Sequence, residues 1–423
     1  MDGHAIVLFI ITILVSTLVS KKLEDTYNIP LPLSLIAINM YAVNFIHSDI
    51  AFSVLMLVLL PLLLIPDALH LKIKDLKNNY ISITYMSFFA VIYSVIMGTY
   101  IMDYIDPYYP ISFFVLLFSI TMATDAISVS AVFKKFADVP EKIKLFAESE
   151  SLFNDATAVI IFTLVAIPLS LNEVVTPQDV FLGALKILVL STIIGLVCGY
   201  FFSFIMGFFH ETIDEFIIIP LVAYSAFITA EHFEVSGILA VIASIMVFKD
   251  SIMKNIAEFM NLDNPDDIPQ IKRYGTLTFL KQRLKTTIER LNENEKIIEY
   301  ISYIAVAVLF ASLGSIISIE QLLISWREII VVFMITTLIR YSTFIPMIAT
   351  KTIDIKDSIV LTFGGVKGGL AVLLVHMVPS SFVFKEDLAV LVFGQILLST
   401  FVYVAILLII IPKFYKKDSN EPN

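Results

Sequence analysis

Apolar residues run along this chain in blocks of about 20, the length a helix needs to cross a hydrocarbon core of roughly 30 Å. Polar residues gather between the blocks. Thirteen spans follow from this pattern: 4–20, 30–46, 51–69, 80–101, 110–133, 149–171, 180–208, 215–231, 234–248, 298–319, 328–349, 358–379 and 388–412. The blocks are too long and too evenly apolar for the alternating strands of a membrane barrel. The predicted fold class is therefore an all-α polytopic membrane protein. The opening stretch MDGHAIVLFIITILVSTLVSKK has no basic start and no small-residue cleavage site, so it reads as a retained first helix.

Composition removes the alternatives. Of 423 residues, 58% are hydrophobic and only 16% charged, where a soluble chain carries about 25% charged residues. The net charge of −10 and the lack of a basic tract give nucleic acid nothing to bind. The one cysteine, Cys198, lies inside an apolar block, so there is no disulfide framework. No GxxxxGK[ST] run marks an ATP-driven pump. No Ser/His/Asp grouping or His/Cys/carboxylate cluster has the spacing of a hydrolase or a transition-metal site. Neither an enzyme nor a bound cofactor is expected.

Basic residues orient the spans. With the odd-numbered loops on one side, that side holds 23 Lys and Arg, and the other holds only Arg327 and Lys385. Lys186, Arg340 and Lys367 fall inside spans. The positive-inside rule then puts the N-terminus outside the cell membrane and the C-terminus in the cytoplasm. The sizeable soluble piece is loop 249–297, within which TFLKQRLKTTIERLNENEK reads as an amphipathic surface helix.

Charged groups deep in a span are costly and usually mark ion or proton paths. Span 5 carries TMATDAISVSAVFKK, with Thr124 and Asp125 about two-thirds of the way across. Span 6 opens with ESESLFNDATAVIIF. There Ser151 and Asp155 are i,i+4 neighbours, as are Glu150 and Asn154, so the two pairs line adjacent strips of one face. Such a face, opposite an aspartate, offers the oxygen ligation that hard cations prefer. Glu148, nearer water, reads as a cap of the helix start. Asp155 lies a turn deeper, where that reading fails.

Span 12 contains LTFGGVKGGLAVLLVHMVP. Four glycines around Lys367 predict an unwound segment, which at membrane depth must be buried in protein or line a cavity. Close packing through small residues, with Lys367 snorkelling, is the competing reading. Arg340, mid-span in TTLIRYSTFIPM, needs a buried counter-charge, and Glu150 is the candidate. Lys186 reads as snorkelling and His376 as structural. Dividing the spans as 1–6, a linker, and 8–13 makes the halves inverted and pairs span 5 with span 12. Interrupted spans at equivalent places point to a secondary transporter's midplane site.

These motifs carry a family resemblance. ATDAISVSAVFKK, ESLFNDATAVIIF, TAEHFEVSGILAVIASIMV and TFGGVKGGLAVLL occur in the order seen in the cation:proton antiporter-1 family. The chain most resembles its prokaryotic NhaP-like members, which are related to animal sodium/hydrogen exchangers. The resemblance implies a homodimer of thirteen-helix protomers. It implies a dimerisation scaffold of residues 1–79 and 180–319, a mobile core of 80–179 and 320–412, and a tail of 413–423. It also implies cation ligands at the Thr124 main chain, Asp125, Ser151 and Asp155, with Glu150, Asn154, Arg340 and Lys367 in support. The chain departs from the family at Ala126 and Ala156, usually Pro and Gly. Lys367 stands where Arg is usual, and Pro66 beside Asp67 where a span-3 glutamate is usual.

The expected activity is exchange of Na⁺ (or Li⁺) for H⁺ by alternating access. Cation and proton compete for Asp155, and the neutral Asn154 implies one cation per proton. Two alternatives stand beside it: K⁺/H⁺ exchange on the same fold, and a cation channel or purely structural protein without proton coupling. The absence of a repeated pore loop or filter sequence weighs against a channel.

Overall fold

The computed structural model describes residues 3–27, 34–35, 38, 52–125, 129–130, 132–133, 135–136, 138–209, 212–261, 293–308 and 319–415. Among them every regular element is helical and no strand occurs. Five helices are long and apolar enough to span a bilayer: Tyr80–Ile105, Glu141–Ser170, Pro177–Met206, Trp326–Ala349 and Lys385–Phe414. Spans 1 and 3 are the helices Gly3–Tyr27 and Phe52–His70. Most of span 2, the end of span 10 and the amphipathic stretch of loop 249–297 lie outside the described residues.

The chain divides into two compact units. One comprises Met1–Val58, Asp75–Leu185 and Tyr303–Asn423, and holds every candidate site residue. Its interior holds a cluster of buried aliphatic and aromatic side chains that includes Phe133, Phe146, Val360 and Tyr403. Three of its long helices contain a wide π turn, at Tyr85–Phe89, Phe162–Ala166 and Ser399–Tyr403. Such turns re-aim side chains and frequently sit at functional sites.

The other unit comprises Leu59–Lys74 and Lys186–Ser302. Its helical hairpin, Thr212–His232 and Gly237–Asn261, turns at Glu234, whose φ is 55°. Glu231 accepts the Gly237 N–H, satisfying one of the open donors at the second helix's start. Gly195 and Gly199 form a GxxxG stripe against that helix. A Cβ on Gly195 would lie 2.6 Å from the Ala243 Cβ, and one on Gly199 2.6 Å from the Ser244 carbonyl oxygen. Small residues thus let two backbones approach as membrane helices commonly do. At one end of this unit Lys249 donates to the Leu69 carbonyl and lies 3.5 Å from Glu295, which also meets His70 at 3.5 Å.

Two expectations change. Span 6 does not begin at residue 149: its helix starts at Glu141, directly after Pro140, and runs to Ser170. Hydropathy misses the first two turns because EKIKLFAE is amphipathic, burying Ile143, Phe146 and Ala147 while Lys144 pairs with Glu141 at 2.7 Å. Glu148 is therefore no cap; its carboxylate accepts the Ser130 hydroxyl at 3.1 Å. Span 9 likewise does not end at residue 248. The helix continues to Asn261, and residues 293–297 already belong to the next helix, so loop 249–297 is shorter than its polarity suggests.

Candidate functional site

Span 5 is helical over Ile111–Thr121, then leaves the helix at 122–125. No glycine or proline occupies these positions. The cause is tertiary competition for the amide donors. The Thr124 N–H donates to Asp155 Oδ1 at 3.1 Å, and the Asp125 N–H donates to the Val366 carbonyl at 2.8 Å. At membrane depth a backbone may unwind only where such partners replace its own ladder. Ala126, where the family's Pro is missing, lies outside the described residues.

Span 12 breaks in the complementary place. Helices Ile355–Phe363 and Gly369–Met377 flank a non-helical break at Gly364–Gly368. Two of its glycines are there because other groups press on the backbone. A Cβ on Gly365 would overlap the Arg340 guanidinium, with Cζ only 2.5 Å away. One on Gly368 would lie 2.6 Å from the Asp125 Cβ. The two broken segments therefore cross in direct contact, joined by the hydrogen bond from Asp125 to Val366.

The side chains of span 6 divide between two neighbours. Glu150 faces Arg340 in a bidentate pair, with Nη1 to Oε1 at 2.9 Å and Nη2 to Oε2 at 2.6 Å. Both residues are buried, at 5% and 9% exposure. Arg340 also donates to the Thr362 carbonyl at 3.1 Å and the Leu361 carbonyl at 3.2 Å. These carbonyls lie in the last turn of the first half-helix of span 12, where a cation complements the helix dipole. Asn154 then bridges inward, its amide nitrogen donating to Glu150 Oε1 at 2.9 Å and to Thr124 Oγ1 at 3.0 Å. Both bonds come from the nitrogen, and the Asn154 Oδ1 has no hydrogen-bond partner among the described residues.

Asp155 lies at the crossing, 7% exposed, held by the Thr124 amide. Ser151, one turn earlier and 2% exposed, has a hydroxyl with no hydrogen-bond partner among the described residues. Most buried hydroxyls are paired, so an unpartnered one beside a carboxylate draws attention to that point. Asp125 is half-buried. Lys367, 3% exposed, places its amine within electrostatic reach of Arg340, Glu150 and Asp155. Thr124, Asp125, Glu150, Ser151, Asn154, Asp155, Arg340 and Lys367 thus come together around one crossing.

The other singled-out residues stand apart. His376 bonds the Val372 carbonyl at 2.9 Å and, with Lys385, lines a cavity of about 550 Å³ that shares no lining residue with the crossing. Lys186 is exposed on its helix. Among the described residues no cluster of three or more His, Cys, Asp or Glu forms a metal site.

Span 13 supplies contacts that sequence reading missed. The Ser399 hydroxyl accepts the Lys367 N–H at 3.0 Å. Tyr403 meets Thr337 at 2.6 Å, and Gln395 donates to the Ile329 carbonyl at 2.8 Å. The signal was the polar set Gln395, Ser399 and Thr400 within an otherwise apolar run.

Comparison with known proteins agrees with this architecture. Residues 7–262 and 280–410 match the family described as sodium/hydrogen exchanger, transmembrane. The Na⁺/H⁺ antiporter NhaH of Halobacillus dabanensis is 28% identical over 285 residues, covering 66% of this chain and 63% of that protein. The sodium/hydrogen exchanger 2 of Oryctolagus cuniculus is 25% identical over 283 residues, covering 63% of this chain and 30% of that protein. The chain thus aligns with less than two thirds of the length of either relative. The fold is similar to that of the sodium proton antiporter MjNhaP1 of Methanocaldococcus jannaschii, with a TM-score of 0.74 at 17% identity over 98% of this chain and 99% of that one. A family match over nearly the whole chain, with the apolar helices, makes this an all-α, multi-pass membrane protein belonging to the sodium/hydrogen exchanger family.

Proposed function

We propose that the chain is a secondary antiporter that exchanges Na⁺ (or Li⁺) for H⁺, with both ions competing for Asp155. The carrying observation is a buried carboxylate, held by a backbone amide at the crossing of two broken helices, with the Ser151 hydroxyl, which has no hydrogen-bond partner among the described residues, one turn away. The Thr124 main chain, Asp125, Ser151 and Asp155 supply the oxygens that a hard cation takes in place of water. A carboxylate that holds a proton cannot also hold the cation, so each ion expels the other and coupling needs no further device.

One cation per proton is the proposed stoichiometry, and two side chains of span 6 support it. Glu150 is neutralised by Arg340, and Asn154 carries no charge, so one mobile carboxylate remains on this face of span 6. One cation then exchanges for one proton without net charge movement. Transport proceeds by alternating access, with residues 80–179 and 320–412 as the mobile core. Residues 1–79 and 180–319 form the scaffold through which two copies dimerise. The N-terminus lies outside and the C-terminus in the cytoplasm.

Proteoliposomes with a trapped pH dye test the reading. An imposed Na⁺ gradient is expected to move protons into or out of the lumen at a rate unchanged by a valinomycin voltage clamp. A response to K⁺ and none to Na⁺ would replace the cation. A rate altered by the clamp would overturn the stoichiometry. No proton movement with Na⁺, Li⁺ or K⁺ would overturn antiport.

A further inference from the structure

The peptide unit between Val366 and Lys367 is held at both ends. Its carbonyl accepts the Asp125 N–H at 2.8 Å, and its N–H donates to Ser399 Oγ at 3.0 Å. Ser399 is 1% exposed and in turn donates to the Ile396 carbonyl at 3.0 Å. Next to Asp125, the Thr124 N–H meets Asp155. A line of contacts therefore runs from span 13 through span 12 and span 5 to the carboxylate of span 6.

We infer that Ser399 is a positioning residue of the ion site: its hydroxyl sets the rotation of the Val366–Lys367 peptide, and through it the placement of the Thr124–Asp125 backbone against Asp155. This inference rests on the antiport reading above. A hydroxyl suits the task because it accepts and donates at once. Few side chains of this size bridge a stray amide to a helix carbonyl. The π turn that begins at Ser399 reinforces the argument, since a regular helix interior offers no reason to widen there.

The neighbouring Thr400 provides the control. It is equally buried, lies in the same π turn and donates to the same Ile396 carbonyl at 2.8 Å. That bond stays within span 13 and does not reach the crossing.

Removing the Ser399 hydroxyl leaves the buried Lys367 N–H without this acceptor, and the peptide is then free to turn away from Asp125. The defect is one of cation binding geometry rather than of the carboxylate itself. The full chain in proteoliposomes is assayed for Na⁺-driven proton movement against Na⁺ concentration. Ser399→Ala is expected to raise the KM for Na⁺ by about 5- to 10-fold, the scale of one lost hydrogen bond, with a smaller change in maximal rate. Thr400→Ala is expected to leave KM unchanged, and Ser399→Thr, which keeps the hydroxyl, to restore it.

A KM for Ser399→Ala equal to that of Thr400→Ala overturns the inference while leaving antiport intact. If Ser399→Ala fails to fold, Ser399→Cys carries the same expectation, because sulfur is a weak acceptor of similar size. An unchanged KM in that variant overturns the inference equally. A wild-type protein that moves no protons with any cation removes the antiport reading and this inference with it.

Discussion

Arg340→Leu is expected to destabilise the protein by about 3–5 kcal/mol, the usual cost of stranding one member of a buried ion pair. The loss has two parts. Glu150, 5% exposed, keeps its charge demand without its bidentate partner. The Leu361 carbonyl loses its donor at the end of the first half-helix of span 12, and the Thr362 carbonyl keeps only the Gly365 N–H at 3.3 Å. Arg340→Lys does not repair this, because a single ammonium cannot match the planar fork that reaches a carboxylate and two carbonyls together. Combining Arg340→Leu with Glu150→Gln removes the unmatched charge and recovers part of the stability. Thermal unfolding of the purified variants in detergent reads each effect. A double variant no more stable than Arg340→Leu would show that the carbonyl contacts, not the ion pair, carry the energy.

Asp155→Asn is expected to reduce cation-driven proton movement to the background of empty liposomes for Na⁺, Li⁺ and K⁺ alike. The substitution keeps the shape of the side chain and an oxygen for the Thr124 amide. Folding and melting temperature should therefore change little. What disappears is a group that takes up and releases a proton. This separates Asp155 from Glu150, whose loss is felt as instability because its carboxylate is committed to Arg340 and Asn154. Exchange at wild-type rate in Asp155→Asn would move the site elsewhere.

The long apolar helices were legible because hydropathy reports the same transfer free energy that drives a segment into lipid. It reports helix length less well. The first turns of span 6 carry Glu141, Lys142 and Lys144, so hydropathy starts the span two turns after the helix begins. The pairing of Arg340 with Glu150 was legible because a mid-span guanidinium requires an acid, and the acids near it in depth were few. The break in span 12 was legible from four glycines, but the need for two of them was not. Gly365 and Gly368 make room for Arg340 and Asp125, which come from distant parts of the chain. The part played by span 13 was hidden for a related reason. Serine and threonine in membrane helices commonly bond the carbonyl one turn back, as Thr121 and Ser94 do here. Nothing local distinguishes Ser399, which also reaches another span, from Thr400, which does not.

Competition between cation and proton at one carboxylate is most directly tested by proton release. Purified protein in weakly buffered detergent solution, held slightly acidic, is titrated with NaCl while pH is followed, with choline chloride as the ionic-strength control. The expected result is release approaching about one proton per bound cation, as linkage at a single shared site requires, and no release from Asp155→Asn. Na⁺ binding without proton release, or release that persists unchanged in Asp155→Asn, would contradict the account.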